Sequence, residues 1–484
     1  MRKNVEFYLN GKKISAGANQ SRMMLAEYLR QEKGLTGTKI VCAEGDCGSC
    51  SILKYYPHND FGKSYFIPIN SCITTVAQMD ASSLITVEAL EEAGQLNEIQ
   101  ESLLLSHGSQ CGFCTPGFVM ALAGLAEKKI NQSSKKISEQ DVKNAFTGNL
   151  CRCTGYKHII DAGTKLTLDK VNSLKDRYYN SSQEKDLNQI YKNSLNIEGE
   201  DYSFYAPKTL SEATTYLNDH PETKIISATT DLGVLHNKRR FKIQKVMSLH
   251  LVDELYEIKK ENGKVYLGSR VTIEALRSFI KSDVSALSKY LDIFASPQIK
   301  NTATIIGNIA NASPIGDTPP ALMALNTVLH VQNKKGTKNI SLNNFYQGYK
   351  QTMLEAGDII TGLTFDIPTK NQDFFAFKNS NRKDLDISCV NMAFLIDWKN
   401  KKTHEIEKIN ISCGGVAATV LELKKTQSFL VGKAVDQKTV DQALEIFHTE
   451  FTPISDVRST NSYRHIVLDH YFRRCFSEIS KGAQ

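Results

Sequence analysis

Eight of the eleven cysteines in this 484-residue chain lie before residue 154, in two sets whose spacing suits metal chemistry. Cys42, Cys47 and Cys50, followed by Cys72, form C-x4-C-x2-C-x21-C, the plant-type pattern for four thiolates around a [2Fe–2S] cluster. A loop around such a cluster must turn its backbone amides toward the sulfides. Gly45 and Gly48 supply that freedom, because a residue without Cβ tolerates positive φ and close approach. Structural zinc is the alternative, although zinc sites use paired C-x2–4-C knuckles. Cys111, Cys114, Cys151 and Cys153 form C-x2-C-x36-C-x-C, a spacing that by itself leaves cluster and zinc both open. Thr115-Pro116 reads as a helix N-cap and first residue, and Gly148-Asn149 as helix breakers. Both pairs therefore fall at helix ends and can converge on one site. Cys389, Cys413 and Cys475 have no ligand spacing and read as ordinary buried cysteines.

A third constellation is built from small and hydroxylic residues. A strand at 225–227 enters Ala228-Thr229-Thr230-Asp231-Leu232-Gly233, whose amides and hydroxyls can cradle a pyrophosphate. An ordinary strand-to-helix turn has the same composition. Residues 301–317, NTATIIGNIANASPIGD, make a second such loop, and two in one domain fit a dinucleotide. The chain contains no G-x-S-x-G, H-E-x-x-H or P-loop, and its single histidines read as packing or surface residues.

These residues need elements to hold them. At roughly 150 residues per domain the length allows about three domains. With 41% hydrophobic and 23% charged residues, disorder and fibrous repeats are excluded. Residues 5–9 and 12–15 alternate around Asn10-Gly11 and read as a hairpin, followed by a helix at 23–30. This gives an α+β unit over 1–84. Residues 85–170 turn helical, with Ser138-x-x-Asp141 as a start signal. Residues 171–199 are polar with few periodic apolar positions and read as a linker. Strands and helices then mix through an α+β domain at 200–370 and a further one at 371–484. The net charge of +7 is scattered, and Lys238-Arg239-Arg240 is too short for a nucleic-acid surface. No apolar run suits a membrane span or a secretion signal, so a cytoplasmic protein is expected.

The motifs C-x4-C-x2-C, Q-C-G-F-C-x-P-G beginning at Gln110 and C-R-C-T-G-Y beginning at Cys151, in this order, closely resemble the xanthine oxidase family of molybdenum hydroxylases. The resemblance covers essentially the whole chain. It implies a β-grasp, ferredoxin-like first domain, a four-helix-bundle second domain, a PCMH-like FAD-binding domain and a flavoprotein C-terminal domain. Cys42, Cys47, Cys50 and Cys72 would hold one [2Fe–2S] cluster, and Cys111, Cys114, Cys151 and Cys153 the other. Gln110 would lie against the molybdopterin of a partner. FAD contacts are implied for Ala228, Thr229, Thr230, Asp231 and Leu232, and for Thr304, Ile305, Ile306, Gly307, Asn308 and Asp317. Phe294 matches a flavin-pocket aromatic, Leu363 a backbone contact and Lys378 a basic contact. Ile306 and Ala228 stand where the family commonly has glycine. Residues 379–389 align with a loop that gates NAD access.

The family's electron route runs from a molybdenum centre through the helical-domain cluster and the ferredoxin-type cluster to FAD, and then to NAD+ or oxygen. The chain has no room for molybdopterin-binding domains, so the hydroxylation site is expected on a separate, larger subunit. The domain fusion is similar to the small subunit of bacterial xanthine dehydrogenases, which implies an (αβ)2 heterotetramer acting on xanthine or hypoxanthine. Two other readings remain open at this point. One is the same role beside a hydroxylase of aldehydes or N-heterocycles; the other is a non-catalytic redox-sensing or zinc-binding protein.

Overall fold

The Asn10-Gly11 turn closes a hairpin between Val5–Leu9 and Lys12–Ala16, both turn residues taking positive φ, 51° and 78°, as a two-residue turn requires. The computed structural model describes residues 1–58, 61–134 and 136–481; Lys135 and residues 482–484, the end of the expected C-terminal domain, lie outside them. The chain separates into two compact units, Met1–Asp253 with Ser296–Ala303, and Glu254–Ala295 with Thr304–Gln484. The expected 200–370 domain is thus divided between them. Among the described residues no helix is long and apolar enough to cross a membrane.

In the first unit, a five-stranded sheet runs in the order Lys12–Ala16, Val5–Leu9, Ser83–Ile85, Ser51–Tyr55, Ile67–Asn70. Only the pairing of Val5–Leu9 with Ser83–Ile85 is parallel. Alternate residues Val5, Phe7 and Leu9 are buried, as period-two packing demands, and Phe7 meets Tyr28 of the helix Leu25–Gln31 edge to face. Four helices follow: Glu98–Leu105, Thr115–Asn131, Glu139–Phe146 and Lys157–Lys165. Ser138 and Asp141 form the expected capping box. The expected N-cap at Thr115 falls one residue earlier, on Cys114 itself, and Pro116 still sits in the first turn, where its missing N–H costs nothing.

The expected linker is ordered. It holds helices Leu174–Tyr178 and Ser181–Tyr191 and a strand, Leu195–Glu198. The second helix is capped by Asn180, which accepts from Ser182 and Gln183, and buries Leu187, Ile190 and Tyr191. That i, i+3, i+4 stripe is only three residues wide in a polar sequence, too sparse to register as periodic. The strand pairs with Ser203–Ala206 in a four-stranded sheet completed by Lys245–Ser248 and Lys224–Ile226.

Glu127, inside Thr115–Asn131, fixes where this segment begins. Its buried carboxylate accepts the Leu174 N–H at 2.7 Å, and burial pushes its pKa up to about 7. The folded chain therefore keeps a proton that the unfolded chain releases near pH 4.5, so stability falls as pH rises from about 4.5 to about 7. Glu127→Gln is expected to flatten that slope and to add at most about 3 kcal/mol at pH 8. Urea unfolding across pH 5 to 8 checks it; an unchanged slope contradicts it.

The second unit contains two larger antiparallel sheets and a two-stranded one, Tyr346–Gly348 with Gln351–Thr352. Of the larger two, one runs Ile258–Glu261, Lys264–Gly268, Ile359–Asp366, Val328–Asn333, Gly336–Ser341; the other runs Gln372–Asn379, Val390–Asn400, Glu405–Gly414, Leu421–Glu422. The long helix Asn461–Lys481 packs Leu468, Phe472 and Cys475 into a core with Trp398, Phe394 and Phe447.

Candidate cofactor sites

All eleven cysteines are free thiols. In the first set, the loop from Cys42 to Cys50 turns through left-handed residues at Ala43, Gly45 and Gly48. Cys47 and Cys72 donate to Cys42, the single Cys72 S–H being shared with Cys50, so the four thiols form one chain of contacts. These bonds push the donors Cys47 and Cys72 up and pull the acceptors Cys42 and Cys50 down. Glu44 N–H points at Cys42 Sγ at 3.4 Å, and Asn70 Nδ2 lies 3.8 Å from Cys50 Sγ.

In the second set, Cys111 and Cys153 meet at 3.5 Å and are exposed, while Cys114 donates to Cys151. Burial, with that bond, pushes Cys114 up to about 12. Thr154 donates to Cys151 Sγ at 3.2 Å, and Tyr156 OH accepts from Cys151 N–H at 3.0 Å. Gln110 is exposed beside this set. Among the described residues, no group of three or more His, Cys, Asp or Glu is arranged to hold a single metal ion. The thiols meet instead in pairs, Cys111 with Cys153 and Cys114 with Cys151, and in the four-membered chain of the first set. A donor set of four free thiols without disulfides fits a two-iron cluster, which takes two thiolates at each iron.

The two sets are joined through backbone. Leu150, the residue before Cys151, donates its N–H to Cys47 O at 3.0 Å. Gly48 has φ +68°, and a Cβ there would stand 2.3 Å from Gly148 O, so only glycine admits this approach. Asn149 Nδ2 donates to Gly48 O at 3.2 Å, and Gln298 Nε2 donates to Asn149 Oδ1 at 2.8 Å and Ser51 Oγ at 3.1 Å. Gly148-Asn149 had a legible meaning as a helix stop. The bridging roles of Asn149 and Gln298 carry no local signal.

The first flavin-type loop lies in the first unit. Thr229 has φ 54° and is buried, and its hydroxyl is shared between Ile73 O and Gln78 Oε1, both at 2.6 Å. Ala228, Thr230 and Leu232 are half-buried and Asp231 is exposed. The second loop lies in the second unit from Thr304 onward, residues 301–303 belonging to the first. Thr304 caps Ile305–Ala310 by accepting Gly307 N–H at 3.0 Å. Ile305 and Ile306 turn inward, whereas Gly307 is exposed and Asn308 half-buried. An isoleucine at 306 therefore leaves the outward-facing Gly307 backbone uncovered. Its amides and the nearby hydroxyls are a donor set that fits a pyrophosphate.

Asp317 and Lys378 are brought together as an ion pair of 2.6 Å with 9% and 1% side-chain exposure. Ser388 Oγ donates to Asp317 Oδ1 at 2.5 Å and Lys378 Nζ to Ile293 O at 3.3 Å. Phe294, next to Ile293, is buried. Leu363 sits mid-sheet, opposite Leu267 and Leu329, with its side chain in the core.

Three family models match: a [2Fe-2S] binding domain at residues 86–164, an FAD binding domain in molybdopterin dehydrogenase at 200–369, and a CO dehydrogenase flavoprotein C-terminal domain at 375–479. The xanthine dehydrogenase of Drosophila pseudoobscura pseudoobscura is 30% identical over 91% of this chain and 36% of its own length. That of Emericella nidulans is 29% identical over 92% of this chain and 36% of its own length. The chain thus spans little more than a third of these relatives. Among solved structures, quinoline 2-oxidoreductase from Pseudomonas putida 86 aligns with a TM-score of 0.53 at 24% identity, covering 59% of this chain and 99% of that one. Reconstituted CO dehydrogenase from Oligotropha carboxidovorans gives 0.54 at 22%, covering 60% and 100%; at such identities the likeness is one of fold. A [2Fe-2S] binding domain, an FAD binding domain of the molybdopterin dehydrogenase type and a flavoprotein C-terminal domain thus follow one another in one chain. The chain belongs to the xanthine oxidase family.

Proposed function

We propose that this chain is the electron-transfer subunit of a xanthine dehydrogenase, passing electrons from a partner's molybdopterin centre through two [2Fe–2S] clusters to FAD and then to NAD+. The observation that carries the reading is the two sets of four free thiols, tied to each other where Leu150 donates to Cys47 O. When bound, the clusters move electrons singly and FAD hands them on in pairs. Cys42, Cys47, Cys50 and Cys72 hold the inner cluster, and Cys111, Cys114, Cys151 and Cys153 the outer one. The outer set faces solvent beside Gln110, the contact to the partner's molybdopterin. Leu104, Leu105 and Phe113, exposed by 63%, 77% and 49% in the same stretch, suit burial by that partner.

Residues 228–232 and 304–308 supply amides and hydroxyls for FAD, with Phe294, Leu363, Asp317 and Lys378 supporting the flavin site. The domains divide at 1–84, 85–170, 200–370 and 371–484, with 171–199 linking the second to the third, and have β-grasp, four-helix-bundle, PCMH-like and flavoprotein C-terminal folds. The molybdopterin site belongs to a larger subunit in an (αβ)2 heterotetramer, and the curated xanthine dehydrogenases support xanthine or hypoxanthine as substrate.

Anaerobic purification with whatever co-purifies, followed by metal and flavin analysis, tests the reading. About four irons and about one FAD per chain are expected, with a larger molybdenum-containing subunit. Zinc in place of iron, or no flavin, overturns it. Cys153→Ser is expected to abolish one of two EPR signals while FAD stays bound; two unaltered signals remove Cys153 from the ligand set.

A further inference from the structure

The helix Leu232–Asn237, which begins where the first flavin-type loop ends, is seated on the first cysteine set. Gly233 rests flush on Ile73: a Cβ there would come within 2.3 Å of Ile73 O. Val234 packs against the small core of Cys50, Cys72 and Ile73. At the helix end, Lys238 pairs with Glu44 at 2.9 Å, and Asn237 Nδ2 donates to Ala43 O at 2.8 Å and Cys72 O at 2.9 Å. One carboxamide nitrogen carries two N–H groups, so both bonds form together. The two acceptors belong to the two separate chain segments that bring the thiols together. Ala43, directly after Cys42, is held left-handed at φ 54°, an arrangement that is unfavourable for a residue with Cβ and so needs support from outside the loop.

We propose that Asn237 is a positioning residue for the inner cluster: it locks the Cys42-side and Cys72-side carbonyls in place and so sets the cluster's reduction potential and its retention. The inference rests on the reading that Cys42, Cys47, Cys50 and Cys72 hold a [2Fe–2S] cluster. Hydrogen bonding around the ligands and solvent access are what tune such a cluster. Without the carboxamide, two carbonyl dipoles beside the thiolates are free to turn toward water. A carboxylate in its place, which accepts only, repels both.

The test uses the full chain with its co-purifying partner, as wild type, Asn237→Leu, Asn237→Asp and Asn237→Gln. In the Leu and Asp variants, the EPR signal of one cluster is expected to change its g-values and its midpoint in a redox titration, with the other signal unaltered and FAD content unchanged. Iron loss from that site to a chelator is expected to accelerate by about tenfold. Asn237→Gln keeps both donors and restores part of the wild-type spectrum and retention. Identical g-values, midpoint and iron release in the Leu and Asp variants overturn the proposal, and so does loss of FAD with both cluster signals intact. Wild-type protein containing zinc rather than iron refutes the cluster reading itself, a failure visible before any variant is made.

Discussion

Lys378→Met lowers the stability of the chain by about 3–5 kcal/mol, the cost of leaving a buried charge without its partner. The side chains of Lys378 and Asp317 are 1% and 9% exposed, so water cannot replace the lost ammonium. What remains for the Asp317 carboxylate is the single hydroxyl of Ser388. The lost ammonium also gives up its bond to Ile293 O, next to Phe294, so FAD content is expected to fall together with stability. Replacing both charges by apolar residues, Asp317→Leu with Lys378→Met, is expected to recover much of the loss, because desolvation no longer has to be met by pairing. Urea unfolding of the single and double variants measures both effects. A single variant that unfolds at the wild-type urea concentration shows the pair to be dispensable.

Gly48→Ala has the second large effect, and iron analysis reads it. Alanine at φ +68° costs about 1–2 kcal/mol, and a Cβ at 2.3 Å from Gly148 O forces one backbone to move, at a further cost of roughly 1–3 kcal/mol. Either movement disturbs a cysteine loop, since Gly48 follows Cys47, and the segment at Gly148-Asn149 runs into Cys151. Iron is therefore expected to drop at both sites. Gly34→Ala is the matched control: its φ is +67°, but nothing lies within 4 Å of a new Cβ. If both variants lose the same iron, the clash contributes nothing.

What could be read from the chain was whatever is written locally. The Asn10-Gly11 hairpin and the Ser138–Asp141 box each follow from a few neighbouring residues. Spacing grouped the eight cysteines because ligand sets cluster in sequence, and the fold brings thiols within each set into contact. Polar side chains acting across long separations were illegible. Asn237 reaches Ala43 and Cys72, Gln298 reaches Asn149 and Ser51, and Ser388 reaches Asp317; each is an ordinary residue in its own neighbourhood. The helices within 171–199 were illegible for a related reason. The two are specified by one cap each, Ser173 and Asn180, and by a thin apolar stripe whose partners lie elsewhere in the chain.

The eight residues Ser296–Ala303 return to the first unit after the chain has already entered the second. Gln298, fully buried, is the residue there that braces Asn149 and Ser51. During synthesis at roughly 5–20 residues per second, Gln298 therefore emerges roughly 7–30 s after Cys153. All eight thiols leave the ribosome well before their scaffold can close. That interval is a window in which iron–sulfur assembly factors would meet an open pair of reduced sites, and oxidants would meet the same thiols unprotected.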